Sequence, residues 1–227
     1  MNTQIILTDL DYREAARYLG YRQHEIDDNT LELMRQCESA IMADTRPKGI
    51  YRVFDITERQ DGIYVEGTNM VLTGMSIRQH LKNCTKAALM AVTLSDAADR
   101  MIRTFQITDM AKAVIMDSMA SVAVEQACNH LEKRISEDLP GMYQTFRFGL
   151  GYGDLPIKLQ KEFITILNAD IIIGLHVNES SMLIPTKSVT AVIGLSSEPI
   201  KGQARGCATC SIKETCKFKR MGGHCNG

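Results

Sequence analysis

Four of the seven cysteines in this chain lie close together near its C-terminus. They are Cys207, Cys210, Cys216 and Cys225. Two thiols separated by two residues can turn both sulfurs toward one metal, and two further thiols complete a tetrahedron. The sequence therefore predicts one metal or iron–sulfur centre held by these four side chains.

The spacing of the cysteines favours one type of centre over another. The first three are separated by two and then five residues. This spacing matches neither that of a zinc ribbon nor that of the cysteine ligands in ferredoxins. The set resembles the compact cysteine groups of several [4Fe–4S] proteins, so we favour a cluster and keep zinc as the alternative. A cluster could pass on an electron, whereas a zinc ion would form a structural site that stabilises the tail.

The segment from Arg147 to Pro156 is a second place where chemistry could occur. It contains glycines at positions 149, 151 and 153, and a glycine backbone can approach a ligand closely. An arginine that precedes such a loop in the sequence can bind a carboxylate through two parallel hydrogen bonds. Taken alone, the pattern is more typical of a glycine-rich turn whose arginine pairs with an acidic side chain.

A domain of mixed helices and strands must position these residues. Hydrophobic periodicity predicts helices at about 12–21, 31–42, 76–88, 109–137 and 157–167, and a further helix that begins after Ser95. It predicts strands at about 50–56, 63–69, 89–94, 143–148, 171–177 and 188–195. No regular βαβ alternation is present, so we expect an α+β fold. It would have a mixed or antiparallel twisted sheet, flanking helices and a long central helix at 109–137.

Length and charge predict two parts of unequal size. We expect a body at residues 1–200 and a small cysteine-rich tail at 201–227, joined near Gly202 and Gly206. The tail has six basic residues and one acidic residue although the whole chain has a net charge of −1. We interpret the basic residues as compensation for a negatively charged thiolate centre. The single aromatic residue of the tail, Phe218, makes a nucleic-acid surface the weaker interpretation.

The N-terminal segment and the hydropathy pattern predict a cytoplasmic protein without a membrane partner. Met-Asn-Thr-Gln lacks the basic region of a signal peptide, and no apolar stretch approaches the roughly 20 residues of a membrane span. Cytoplasmic thiols are reduced, which favours metal binding over disulfides at the tail. We expect Cys37, Cys84 and Cys128, which lie in helical patterns, to be small buried apolar side chains.

Two motifs in the body resemble one known family. Arg147-x-x-x-Gly151-Tyr152-x-x-x-Pro156 resembles the S-adenosylmethionine-binding motif of the activation, or reactivation, domain of cobalamin-dependent methionine synthase. The stretch from Asn178 to Pro185, followed by Ser188-Val189, resembles that family's second motif in the same order and at a similar separation. The resemblance extends over most of 72–199, including the predicted long helix.

This resemblance implies support for reductive methylation of cobalamin. In that family the activation domain presents S-adenosylmethionine to the cobalt of inactive cob(II)alamin while a reductase supplies one electron, and the methyl group moves to cobalt. A free-standing copy would dock onto a separate cobalamin-carrying methionine synthase or another corrinoid protein, and an electron donor would be a further partner. The chain would then be a component of a methyltransferase activity rather than a stand-alone catalyst, so no catalytic residue is assigned.

The resemblance also implies roles for the residues of the first motif. Arg147 would bind the carboxylate of S-adenosylmethionine. Backbone groups around Gly151, Tyr152 and Gly153 would hydrogen-bond the adenine or the ribose. Pro156 closes the motif.

Two glutamates are candidates to face the cationic ammonium or sulfonium group. Glu125 would lie on the long helix, and the alternative for it is a solvated helix position. Glu179 lies in the second motif, and the alternative for it is a cap of the turn. This chain departs from the family pattern after the second motif, where Ile200 and the residues that follow replace a pair of adjacent tyrosines. That departure predicts lower affinity or a different ligand, and the cysteine tail is a second departure from the family's domain.

Other functions fit the same residues. The main alternative is an iron–sulfur or zinc protein on a degenerate scaffold, acting as an electron carrier or an interaction module. A nucleic-acid-binding metal module is a weaker alternative because the body of the chain is acidic. The sequence shows no P-loop, no dinucleotide-binding fingerprint and no Ser/His/Asp or Cys/His catalytic set.

Overall fold

The structure is a computed structural model that describes residues 3–21 and 25–200. Its helices are α1 (Tyr12–Tyr18), α2 (Asp28–Asp44), α3 (Met75–His80), α4 (Asp96–Thr108), α5 (Met110–Asp138), α6 (Gln160–Leu167) and α7 (Ala169–Ile172). Its strands are β1 (Lys48–Glu58), β2 (Ile63–Val65), β3 (Val71–Leu72), β4 (Lys86–Thr93), β5 (Tyr143–Gln144), β6 (Phe148–Gly149), β7 (His176–Val177), β8 (Leu183–Ile184) and β9 (Ser188–Ser196). A short 3-10 turn at Ile157–Leu159 precedes α6.

The strands form one large antiparallel sheet and one small pair. The large sheet has seven strands in the order β3-β2-β1-β4-β9-β5, and β6 also pairs with β9. The pairs β1–β2, β2–β3, β5–β9 and β6–β9 are antiparallel. The small pair, β7–β8, is antiparallel as well. These strands and the helices around them confirm the α+β fold with an antiparallel sheet and one long helix.

The described residues form two compact units that alternate along the sequence. The first unit consists of the residues up to Ile50, together with Ala91–Arg134 and Asn168–Val189. The second consists of Tyr51–Met90, Ile135–Leu167 and the described residues from Thr190 onwards. The predicted division into a body and a tail stays a prediction because 201–227 lie outside the described residues.

The core of the first unit depends on two helices with apolar faces. Met34, Cys37 and Ile41 recur at helical spacing on α2 and are fully buried. On α5 the residues between Ala113 and Leu131 are mostly small or flexible and mostly buried, as the prediction of a long buried helix required. Asp109 caps the start of α5 by accepting a hydrogen bond from the Lys112 amide at 3.0 Å.

The second unit contains most of the residues of the large sheet. Its core includes the apolar run at the start of β4 and the inward residues Ile63, Val65 and Leu72. Arg78 of α3 fixes that helix to the β1–β2 turn, since its guanidinium donates to Glu58 Oε1 at 2.9 Å and to the Arg59 carbonyl at 2.8 Å. The short helix α3 is therefore attached to the turn between β1 and β2.

The predicted elements differ from the observed ones most clearly at three places. The helix predicted for 76–88 is α3, which ends at His80, because the following buried strand is an apolar run that periodicity does not separate from a helix. The strand predicted for 171–177 is α7 followed by β7. The strand predicted for 143–148 is divided into β5 and β6.

The three cysteines of the body differ in their surroundings. Cys37 and Cys128 are buried within α2 and α5, as predicted. Cys84 is half-buried and lies in the connection between α3 and β4, so the helical prediction is wrong for it. No helix within 3–21 and 25–200 is long and apolar enough to cross a membrane.

Candidate functional site

The residues from 147 to 156, which we call the glycine loop, leave the large sheet in the second unit. The loop begins at β6, which pairs antiparallel with β9 so that Phe148 lies opposite Val192. Arg147 immediately precedes β6 and is half-buried. The sheet therefore fixes the backbone next to the arginine, while the following residues form a turn.

Two glycines determine the shape of this turn. Gly151 has a φ of 83° and Gly153 a φ of 58°, which is the left-handed region that glycine adopts without strain. A Cβ on Gly151 would lie 2.9 Å from Cδ1 of Ile157, and a Cβ on Gly153 would lie 2.8 Å from Oγ of Ser76. Gly149 is different because it belongs to β6 and has no such backbone requirement.

The loop closes on itself through backbone hydrogen bonds. The Gly151 amide donates to the Leu155 carbonyl, the Tyr152 amide to the Gly149 carbonyl, and the Leu155 amide to the Tyr152 carbonyl, each at 3.1 Å. The amides of Gly151 and Tyr152 are thus used inside the turn. A ligand would meet this part of the loop through carbonyl oxygens and side chains.

Exposed apolar side chains surround the glycine loop. Tyr152 is 53% exposed, Ile157 is 42% exposed and Met75 is 73% exposed. The ring of Tyr152 meets the buried ring of Phe148 edge-on, with the centroids 5.5 Å apart. A flat aromatic ligand would find apolar contact area at this rim.

Asp154 connects the glycine loop to the start of α3. Its carboxylate accepts hydrogen bonds from the Met75 amide at 2.6 Å and from the Ser76 amide at 3.0 Å. Slight burial opposes ionisation, but the hydrogen bonds from Ser76 and Met75 outweigh it and lower the pKa of Asp154. The N-cap position of this helix is Gly74, which has no side chain.

His80, at the other end of α3, meets the chain just before Arg147. Its Nε2 lies 2.8 Å from Oγ1 of Thr145, and its ring is 4.5 Å from the ring of Phe146. The imidazole is buried, and this burial lowers its pKa to about 4 although a hydrogen bond with the Phe146 backbone acts in the opposite direction. His80 is therefore neutral near pH 7.

Pro156 ends the glycine loop and starts the next helical segment. It is half-buried, has a φ of −66° and occupies the N-cap position of the 3-10 turn before α6. The first residue of α6, Gln160, is buried and accepts a hydrogen bond from the Thr190 hydroxyl at 2.7 Å. This bond joins the end of the loop to β9.

The second motif forms a β-hairpin in the first unit, and we call residues 176–187 the hairpin segment. Asn178 closes the turn, since its side-chain oxygen accepts from the Met182 amide at 2.9 Å. Ser181 has a φ of 61° within the turn. Glu179 is exposed at the tip, so its carboxylate can reach a solvent-facing partner.

Side chains from two helices and from the segment itself fasten the hairpin segment. Asp99 of α4 accepts from the Thr186 amide at 2.7 Å and from its hydroxyl at 2.6 Å. Lys187 donates to Oδ1 of Asp117 at 2.8 Å and to Oγ of Ser121 at 2.9 Å, both on α5. The side chain of Lys187 is 13% exposed, which makes this ion pair partly desolvated.

The predicted ligand-binding residues are distributed over both units. The five residues of the first motif lie in the glycine loop of the second unit, whereas Glu125 and Glu179 belong to the first. Glu125 is half-buried on α5. Burial raises the pKa of the Tyr18 phenol, and the negative charges of Glu14 and Glu125 raise it further. Glu125 therefore lies close enough to Tyr18, in the first unit, for its charge to act on the phenol.

The predicted metal ligands cannot be placed. Cys207, Cys210, Cys216 and Cys225 lie outside the described residues. Within 3–21 and 25–200, no three His, Cys, Asp or Glu side chains are grouped so that they could hold a metal ion. The cysteine centre therefore stays a prediction from spacing.

Sequence reasoning gave no role to Asp154 or His80. Asp154 lies inside the first motif, and an acidic residue directly after a glycine turn is a signal for capping a neighbouring amide group. His80 offered no signal, because only the packing of α3 brings it to Thr145.

The fold is similar to that of a solved domain. A crystal structure of the MetH reactivation domain bound to AdoHcy matches this chain with a TM-score of 0.56 at 14% sequence identity, covering 93% of this chain and 74% of that one. No protein-family model matches the sequence, and no curated protein matches it either. The similarity confirms the predicted fold, that of a reactivation domain.

Proposed function

We propose that this chain binds S-adenosylmethionine at the glycine loop and presents the methyl group to cobalamin on a separate methionine synthase or related corrinoid protein. One combined observation supports the proposal. A chain with a reactivation-domain fold carries Arg147 at the edge of its sheet, directly before a turn that Gly151 and Gly153 hold in the left-handed conformation. The solved domain with this fold was crystallised with AdoHcy, the demethylated form of the proposed ligand.

Arg147 is the proposed partner of the ligand carboxylate. A guanidinium can donate two parallel hydrogen bonds to a carboxylate, and the ordered backbone of β6 limits the positions that this side chain can take. Because the residue is half-buried, such a contact would be shielded from water more than a surface ion pair.

The turn and its apolar rim are the proposed contacts for adenine and ribose. Carbonyl oxygens of Gly151 and Gly153 can accept hydrogen bonds from the adenine amino group or the ribose hydroxyls. The exposed faces of Tyr152 and Ile157 provide apolar contact area for the rings. Pro156 limits the flexibility of the loop end by its fixed φ.

Glu125 and Glu179 are the proposed partners of the positive groups of the ligand. S-adenosylmethionine carries a sulfonium and an ammonium, whereas S-adenosylhomocysteine has lost the sulfonium charge together with the methyl group. A carboxylate close to the sulfonium would favour the first ligand over the second. The ratio of the two affinities therefore reports on these two residues.

The methyl transfer itself belongs to the partner protein. The partner's cobalamin would supply the cobalt that accepts the methyl group, a single-electron donor would supply the electron, and S-adenosylhomocysteine would be left as the product. The residues of this chain would bind the ligand, orient its sulfonium and limit the access of water.

The cysteine tail is proposed as a separate centre, on its sequence alone. Cys207, Cys210, Cys216 and Cys225 would hold a [4Fe–4S] cluster or a zinc ion. Metal analysis with anaerobic EPR of the dithionite-reduced protein distinguishes the two, because a reduced cluster is paramagnetic and zinc is silent. A silent spectrum with stoichiometric zinc would end the cluster interpretation.

Anaerobic calorimetric titration with S-adenosylmethionine tests the proposed function. We expect saturable binding by the metal-replete protein and a loss of about 2–4 kcal/mol for Arg147→Ala, since a charged hydrogen-bonded partner is removed. Arg59→Ala is the matched control, because Arg59 is an exposed arginine of the same unit that pairs with Glu66.

The outcomes separate the proposal from its main alternative. Normal binding by Arg147→Ala would show that the first motif is wrongly assigned. Absence of binding by the unaltered protein, together with a redox-active tail, would favour an electron carrier on this scaffold. Removal of residues 205–227 should leave the affinity unchanged if the tail is a separate centre.

A further inference from the structure

Helix α3 contacts the chain on both sides of Arg147. At its start, the Met75 and Ser76 amides donate to the carboxylate of Asp154. At its end, His80 lies 2.8 Å from the hydroxyl of Thr145. The two attachment points are seven residues after and two residues before the arginine.

The contact between Asp154 and α3 replaces a missing helix cap. The N-cap residue Gly74 has no side chain to accept from the first amides of the helix. Asp154 supplies this acceptor from 79 residues further along the chain. A Cβ on Gly74 would lie 2.6 Å from Oδ1 of Asp154, so the absence of a side chain there allows the carboxylate to approach.

The contact at His80 fixes the segment between β5 and β6, which leads to the arginine. Thr145 also accepts a hydrogen bond from the Gly194 amide of β9 at 2.8 Å through its hydroxyl. The same hydroxyl thus joins His80 to the large sheet. His80 is 5% exposed, so this attachment is shielded from water.

Helix α3 is itself firmly attached, so it can serve as a support. Arg78, between the two contact points, donates to Glu58 and to the carbonyls of Arg59 and Gln60 at 2.8–2.9 Å. The glycine loop is therefore held by a helix that the β1–β2 turn holds in place.

We propose that Asp154 and His80 are positioning residues that hold the glycine loop against α3 in its ligand-binding shape. This inference rests on the proposed function, because it concerns the same binding site. Neither residue needs to contact the ligand. Their effect on affinity passes through Arg147 and the turn at Gly151 and Gly153.

The substitution Asp154→Asn tests the first contact with little change in volume. The amide keeps one acceptor oxygen and loses the other, so one of the two bonds to α3 is lost. We expect S-adenosylmethionine affinity to fall about tenfold in calorimetry, which corresponds to the loss of one charged hydrogen bond. Asp61→Asn is the matched control, because Asp61 is an exposed carboxylate of the same unit that accepts from the Tyr64 hydroxyl. It should change affinity less than about twofold.

A double substitution separates positioning from general stability. If Asp154 acts partly through Arg147, Asp154→Asn should cost less affinity in the Arg147→Ala background than in the unaltered protein. Fully additive losses would overturn the inference. Thr145→Val provides an independent variant that removes the hydroxyl next to His80, and its loss of affinity should likewise be smaller in the Arg147→Ala background.

Amide hydrogen exchange provides a measurement that does not need the ligand. Asp154→Asn should increase exchange at the Gly151 and Leu155 amides, while the β4 amides keep the protection of the unaltered protein. If the unaltered protein binds no S-adenosylmethionine, the proposed function fails, and exchange alone decides whether α3 holds the loop. If the unaltered protein does bind, unchanged affinity in Asp154→Asn overturns the inference. Unchanged exchange in that variant overturns it in either case.

Discussion

The glycine loop and the hairpin segment are both turns beside short strand pairs, but they are held by different kinds of interaction. The glycine loop depends on its own backbone, on the left-handed conformation of Gly151 and on one carboxylate that binds two amides. The hairpin segment depends on Asp99 of α4 and on the partly desolvated Lys187.

The difference determines where each segment is sensitive to substitution. A turn defined by backbone conformation fails when one glycine gains a side chain. A turn fastened by helix side chains fails when a distant charged residue is removed. The following variants separate the two cases, from the largest expected effect to the smallest.

Gly151→Ala should have the largest effect. The new Cβ would be strained at a φ of 83° and would lie 2.9 Å from Cδ1 of Ile157. We expect a loss of about 2–4 kcal/mol in the free energy of unfolding, measured by denaturant titration, together with loss of ligand binding.

The matched control for this variant is Gly141→Ala. Gly141 has a φ of 84° in the same unit, and a Cβ there would meet nothing within 4 Å. It should lose about 1–2 kcal/mol from backbone strain alone. Equal losses in the two variants would show that the contact with Ile157 does not constrain the loop.

Acid should weaken the second unit through His80. The folded pKa of its imidazole is about 4 and the ordinary value is 6.5, so the unfolded chain binds the proton more readily. The stability due to neutral His80 is therefore complete above pH 6.5 and is lost as the pH falls toward 4. The loss should reach roughly 3 kcal/mol.

Denaturant titration at several pH values checks this expectation. His80→Gln should remove the dependence between pH 6.5 and 4, whereas His176→Gln, an exposed histidine of the first unit, should keep it. An unchanged slope in His80→Gln would assign the acid sensitivity to carboxylates.

Lys187→Met should have a smaller effect and should act on the hairpin segment. It keeps the apolar stem but removes the bonds to Asp117 and Ser121. We expect a loss of about 1–3 kcal/mol in unfolding free energy, with faster amide exchange at Met182. Lys112→Met is the control. Lys112 lies on α5, the helix that also carries Asp117, and its ammonium group donates a hydrogen bond to the Gln36 side chain. An equal loss in both variants would contradict the anchoring role of Lys187.

Glu125→Gln and Glu179→Gln should have the smallest effects. If either residue faces the sulfonium, the preference for S-adenosylmethionine over S-adenosylhomocysteine should fall by about 0.2–1 kcal/mol for the exposed Glu179, and by more for the half-buried Glu125. Paired calorimetric titrations measure the preference, with Glu198→Gln as control. An unchanged preference in both variants would remove these residues from the proposed site.

Much of the fold could be predicted from local patterns. Apolar spacing at Met34, Cys37 and Ile41 predicts α2, and the long run of small and apolar residues predicts α5. The end of α3 could not be predicted, because a strand buried on both faces has no alternation that distinguishes it from a helix. The short helix α7 was missed for a related reason, since its β-branched residues favour a strand.

The candidate site was predictable where the backbone itself is constrained. Glycines at 151 and 153 indicate a turn from sequence, and the structure shows the left-handed conformations that require them. The partners of the loop were not predictable, because Asp154 and Met75 are 79 residues apart and no local pattern links them. The same is true of Lys187 and Asp117 in the first unit.

The sequence by itself determined the α+β class, the long buried helix, the glycine turn after Arg147 and the cysteine spacing of the tail. These features follow from residue type and from neighbours within a few positions. Only the tertiary structure decided that α3 ends at His80, that Asp154 caps this helix and that Lys187 fastens the hairpin segment. Those contacts depend on which distant segments pack together, and that choice is made by the burial of the whole core rather than by any local preference.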